Sequence, residues 1–169
     1  EQAGSYVSDT VCRFDFTHFS ALSEKEIKAV EAIVNANILV AQSIETVETD
    51  IETAKKNGAT ALFGEKYGSV VRMVKMGEFS TELCGGTHIS NTAKLGLFKI
   101  VSESSVASGV RRIEGVTGRG VYELMSKMND DINSAAAALK LNNPAELTSK
   151  CEQLTAELKA GAKEIEKLN

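Results

Sequence analysis

No run in this chain approaches the roughly 18 to 20 consecutive apolar residues of a membrane span, and no signal peptide opens it. The three cysteines, Cys12, Cys84 and Cys151, are an odd number and give no disulfide framework. Both absences point to a reducing, cytoplasmic setting with no membrane partner. Basic excess is missing as well: 19 Lys and Arg stand against 23 Asp and Glu, a net charge of -4. A protein that grips nucleic acid over a wide surface is normally basic, so any such contact here is expected to be local. The G-x-S-x-G nucleophile signature, the P-loop and the glycine-rich dinucleotide loop are all absent, and no catalytic triad or internal repeat is visible. What is present is ordinary globular composition, 43% hydrophobic and 25% charged. At 169 residues the chain suits one domain with an appendage and is too short for a complete multi-domain enzyme.

Glycine and aromatic residues divide the sequence. Beyond Arg119 only Gly120, Gly161 and Tyr122 remain of either type, and Ala, Leu, Lys and Glu take over. The expected fold is α+β, a mixed or antiparallel sheet with packed helices over residues 1–118, followed over 119–169 by a C-terminal helical hairpin or an extended helical tail. Val11 to Phe16 alternates as a strand. Ser23 and Glu26 form a capping box ahead of a helix whose apolar stripe is Ile27, Val30, Val34, Ile38 and Ala41. Ile44 to Thr49 reads as a strand, and Asp50 caps a short helix that Gly58 ends. Two more β-type runs are S-V-V-R-M-V-K-M, bracketed by Gly68 and Gly77, and Leu97 to Ser102.

In the second part, Val121, Leu124, Met125, Met128 and Ile132 mark a helix expected to reach about Leu141. Asn142 and Asn143 break it, and Asn143 caps a second helix with Pro144, the only proline, in its first position. Leu147, Cys151, Leu154, Leu158, Gly161, Ile165 and Leu168 then follow heptad spacing for about three heptads. A stripe of that length with a glycine in its seam is marginal alone and needs another partner surface, an antiparallel neighbour or a second chain.

Two stretches could carry chemistry. In F-S-T-E-L-C-G-G-T-H, Phe79 to His88, the thiol of Cys84 and the imidazole of His88 are soft and borderline donors close enough to share a zinc ion. Two glycines between them disfavour a helix and favour a turn. Zinc wants three or four ligands, so the pair is half a site. A nucleophilic Cys84 with His88 as base, or a buried cysteine beside a hydrogen-bonded histidine, are the alternatives. Glu103 to Gly120 holds three of the five arginines, at 111, 112 and 119. It reads either as a local phosphate or carboxylate site or as a hairpin with solvated arginines.

Five blocks in order carry a resemblance: Q-A-G-S at Gln2 to Ser5, R-F-D-F-T-H at Arg13 to His18, A-L-F-G-E-K-Y at Ala61 to Tyr67, the Phe79 to His88 block, and G-V-R-R-I-E at Gly109 to Glu114. Over about residues 1–125 the chain resembles the editing domain of alanyl-tRNA synthetase, and the helices beyond look like the segment leading to that family's C-terminal tRNA-binding and dimerising domain. The resemblance implies hydrolysis of tRNA(Ala) mischarged with serine or glycine. It implies zinc ligation by Cys84 and His88, a role for Gln2 in orienting water or the substrate ester, and contact of Arg111 and Arg112 with the tRNA acceptor end. Two further histidines are expected on an H-x-x-x-H helix before Gln2, where this sequence has only Glu1, so zinc is expected to be weak or absent in this chain. The ATP and magnesium of aminoacylation belong to a part of the enzyme not in this sequence. A stand-alone alanyl-tRNA editing protein, and a noncatalytic tRNA-binding or helical self-association module, are the other readings.

Overall fold

The computed structural model describes residues 1–61 and 67–168. The block A-L-F-G-E-K-Y therefore lies largely outside the described residues. The fold is α+β, and it divides into two compact units, Glu1–Val121 and Tyr122–Asn169.

The first unit contains two antiparallel sheets. β1 (Gln2–Val7), β2 (Cys12–Thr17), β6 (Phe98–Ala107) and β7 (Val110–Thr117) form a four-stranded sheet in the order β1-β2-β7-β6. β3 (Ile44–Asp50), β4 (Val70–Met76) and β5 (Ser80–Leu83) form the other, in chain order. Helix α1 (Glu24–Leu39) joins β2 to β3, and α2 (Ile51–Lys56) follows β3 directly. The Ser23–Glu26 capping box is complete, with the serine hydroxyl accepting from the Glu26 N–H and the Glu26 carboxylate accepting from the Ser23 N–H. Asp50 caps α2 as its position implies, accepting from the Thr53 N–H, and Gly58 ends that helix at φ 78°. Only the far end of the α1 stripe departs from expectation. The helix stops at Leu39, and Ala41 adopts the left-handed conformation at φ 55°, so it no longer shares the helical face.

Three strands escape the alternation rule. β1 is Q-A-G-S-Y-V and β5 is S-T-E-L, too short or too polar to show a two-residue hydrophobic period. The third, β7, is V-R-R-I-E-G-V-T, whose charges mask its strand character. Its pairing with β6 makes the Glu103 to Gly120 stretch largely a β-hairpin. Gly115 on β7 lies beneath the ring of Phe98, so a Cβ there would collide with Phe98 Cε2 and Cζ.

One face of the smaller sheet packs on α2, where Ala54, Val71, Met73 and Leu83 form a core with Ile51, Ala59 and Tyr67 against it. The opposite face carries Val74, only 1% exposed. At the larger sheet, β6 is an edge strand, and its free backbone groups are met by side chains of α1. Asn35 accepts from the Phe98 N–H at 2.8 Å and donates to the Phe98 carbonyl at 2.9 Å. Glu31 accepts from the Ile100 N–H at 2.9 Å and from Lys99 Nζ at 2.8 Å.

In the second unit the break at Asn142 and Asn143 is present. α3 (Arg119–Ala138) begins in the first unit and ends short of the break, and Asn143 caps a 3-10 turn, Pro144–Glu146, that runs into α4 (Leu147–Leu168). Leu158, Ile165 and Leu168 of the heptad stripe stay exposed. The stripe is therefore not closed into a hairpin core by α3. Among the described residues no helix is long and apolar enough to cross a membrane.

Glu31 supplies the prediction from this architecture. Its replacement by alanine leaves the buried Ile100 N–H without a partner, a loss of about 1–3 kcal/mol. The expected result is a lower urea midpoint at unchanged m. Glu24→Ala, which removes only an exposed partner of Lys28, should leave the midpoint where it is.

Candidate functional site

Cys84 and His88 lie on an irregular segment between β5 and a 3-10 turn at Thr92–Leu95. Both ends of that segment are tied. The Cys84 N–H donates to the Arg72 carbonyl at 3.0 Å, and the Ser90 carbonyl accepts from the Ile44 N–H at 3.0 Å. Just beyond, the buried Thr92 hydroxyl donates to the Asn37 carbonyl and accepts from the Gln42 N–H, both at 2.9 Å, which locks the segment to the end of α1. The Cys84 residue is half-buried and His88 exposed. No helix forms between them, as the two glycines imply.

Sequence reasoning passed over the residue that joins these two groups. Arg72 on β4 points one nitrogen, Nη1, at the Cys84 carbonyl at 3.0 Å, at the Gly86 carbonyl, and at His88 Nδ1 at 3.4 Å. The available signal was its position in V-V-R-M-V, where a two-residue period puts it on the same face as the buried Val74.

Zinc can be tested against this donor set. Among the described residues no three of His, Cys, Asp and Glu converge. One thiol and one imidazole fall short of the three or four ligands of a zinc site. His18 does not supply a third donor. Its backbone N–H donates to the Gly109 carbonyl, and its ring centroid stands 6.2 Å from that of Phe16 and 4.8 Å from that of Phe19.

The remaining expected site residues lie on the larger sheet. Gln2 pairs with Phe16, and Phe16 with Arg111, so Gln2 and Arg111 fall in one row across three strands. The Gln2 amide donates to Ser5 Oγ at 3.3 Å, and no hydrogen bond among the described residues links it to the Cys84–His88 segment. Arg111 makes a two-pronged ion pair with Glu103, both contacts 2.6 Å, and Arg112 makes another with Asp15, both 2.7 Å. These fork-to-carboxylate pairs are mostly covered, with side-chain exposures of 16% and 9% for the first and 30% and 19% for the second. The two arginines are thus counter-ions within the sheet rather than free solvated charges. Hydrogen bonds from Arg112 hold the Asp15 carboxyl below its usual range, and those from Arg111 do the same for Glu103. Both guanidinium groups are pushed up by the same contacts. Burial raises the Cys12 thiol instead; its S–H donates to the Gly115 carbonyl at 3.2 Å, which marks it as a packing residue.

A carboxylate depressed in the folded state adds stability above its unfolded pKa, about 3.9 for Asp, and that contribution disappears as pH falls through the lower native value. Asp15→Asn should therefore melt below the parent protein at pH 7, and the gap should narrow steadily below about pH 4. Paired thermal melts across that window check it. A gap that stays constant into acid would remove the ion pair as its cause.

Comparison with known proteins follows the same residues. Residues 71–114, from β4 through most of β7, match the threonyl and alanyl tRNA synthetase second additional domain. The chain is 51% identical over 168 residues to alanine–tRNA ligase 1 of Lachnoclostridium phytofermentans, covering 99% of this chain and 19% of that protein. It is 52% identical over 167 residues to the alanine–tRNA ligase of Acetivibrio thermocellus, and 49% identical over 166 residues to that of Caldicellulosiruptor saccharolyticus. These matches cover 99% and 98% of the chain, and 19% of each relative. The chain thus spans about a fifth of the length of these relatives. Residues 71–114 thus resemble the second additional domain of those synthetases, and the sequence as a whole, helical tail included, is homologous to one segment of the alanine–tRNA ligases.

Proposed function

We propose that this chain is part of the editing domain of an alanine–tRNA ligase and serves the hydrolysis of Ser-tRNA(Ala) and Gly-tRNA(Ala). The observation that carries the reading is the C-G-G-T-H turn inside the matched domain, with a thiol and an imidazole presented on one braced segment. The need for such a site is physical. A pocket shaped for alanine discriminates against an added hydroxyl or a missing methyl by only about 1–3 kcal/mol each. A second, hydrolytic site removes what the first accepts.

In this reading Cys84 and His88 are two donors of a zinc set whose other donors come from outside the described residues. Gln2 orients water or the ester, and the acceptor end of tRNA(Ala) is the partner. Aminoacylation with ATP and magnesium belongs to other parts of the whole ligase. The similarity extends through the tail, over 98–99% of the chain, which favours the ligase over a stand-alone editing protein. A second role has its own support: the exposed Leu158, Ile165 and Leu168 on α4 suit helix-mediated self-association.

Metal analysis and a deacylation assay test the reading together. The 169-residue chain should bind zinc weakly and hydrolyse Ser-tRNA(Ala) poorly. The full-length ligase should hold zinc and be active, and Cys84→Ala or His88→Ala should remove both properties. Strong metal-free activity of the short chain would take zinc out of the proposal.

The arginines need a different design, because Arg111→Ala alone strands the covered Glu103 carboxylate. Replacing the pair as Glu103→Gln with Arg111→Gln removes both charges. If Arg111 meets a phosphate of the acceptor end, tRNA(Ala) binding should weaken and the slope of log affinity against log salt should flatten by about one unit. Unchanged binding and slope would assign that arginine to the hairpin alone.

A further inference from the structure

The register sets Arg72 opposite Glu48 across the β3–β4 ladder, and an ion pair between them would be the simple outcome for two such neighbours. Among the described residues none is formed. Glu48 is exposed, whereas half-buried Arg72 directs Nη1 to the Cys84 and Gly86 carbonyls and to His88. Arg72 also receives the Cys84 N–H on its own carbonyl. One residue therefore holds the start of the C-G-G-T-H turn through its main chain and the body of it through its side chain.

Such a brace answers a specific weakness. Consecutive glycines at 85 and 86 have the largest backbone freedom to lose, and nothing lies within 4 Å of where a Cβ of Gly85 would stand. A lysine could offer a point charge, but the planar guanidinium fixes the direction of its N–H groups. The two N–H groups of Nη1 match the two carbonyls it meets, those of Cys84 and Gly86.

We propose that Arg72 is the positioning residue of this turn: its guanidinium and its carbonyl fix the backbone from Cys84 to Gly86, so that the Cys84 thiol and the start of the turn leading to His88 are set before any ligand arrives. The functional meaning of this brace rests on the editing reading; the brace itself does not.

The test begins with nitrogen-15 NMR of the unaltered 169-residue chain. Arg72 should show restricted guanidinium rotation and slowed proton exchange. R72K should melt close to the parent, yet lose backbone order at Gly85 and Gly86. R72Q should show the same losses; if it fails to fold, R72K and the unaltered chain still decide the matter. In the full-length ligase, R72K should lower kcat for Ser-tRNA(Ala) hydrolysis by roughly 10- to 100-fold, the range for partners that orient site groups, with little change in KM. A freely rotating Arg72 guanidinium, or an R72K protein with unaltered order at Gly85 and Gly86, would overturn the proposal. Normal NMR signatures in a ligase with no deacylation would instead overturn the editing reading and leave the brace standing.

Discussion

The free edge of β6 is the constraint around which the larger unit is arranged. An edge strand exposes backbone donors and acceptors, and this one is satisfied by two side chains of α1, Asn35 and Glu31, that imitate the missing strand. Once those bonds are made, α1 has a fixed place and direction along the sheet. Its other end then meets Thr92, whose hydroxyl donates to the Asn37 carbonyl. The segment holding Cys84 and His88 ends there, so its far anchor depends on a helix distant from it in sequence that is itself secured at an edge strand.

Much of this order could be read from local chemistry. Ser23 with Glu26, Asp50 with Thr53, and Asn143 before Pro144 act within four residues of chain, and each caps the element its position implies. The apolar run around Val74 is a strand for the same local reason. β1 and β5 were not legible because they are short or polar, although each pairs with the neighbouring strand in the chain; β7 was open to two readings, and its place in the sheet is set by pairing with distant β2, as when Arg13 pairs with Glu114. No window of a few residues contains that information.

The candidate site divides along the same line. Cys84 and His88 stand out as rare residue types at close spacing. Arg111 and Arg112 stand out as a cluster, but their pairing with Glu103 and Asp15 depends on strand order, since Asp15 is 97 residues away. Arg72 was hidden for the opposite reason: it is a single charge inside an apolar strand, and its significance comes only from carbonyl groups on a turn that folds back over it.

The contact of Phe98 with Gly115 reaches into the history of the chain. While the Phe98 ring keeps its present place, a side chain at position 115 would put its Cβ into the volume of Cε2 and Cζ and close to the Lys99 carbonyl. A larger residue at position 115 requires that ring to move aside or to shrink. Descendants of this fold should therefore vary at these positions as a coupled pair, with glycine kept wherever the aromatic ring is kept.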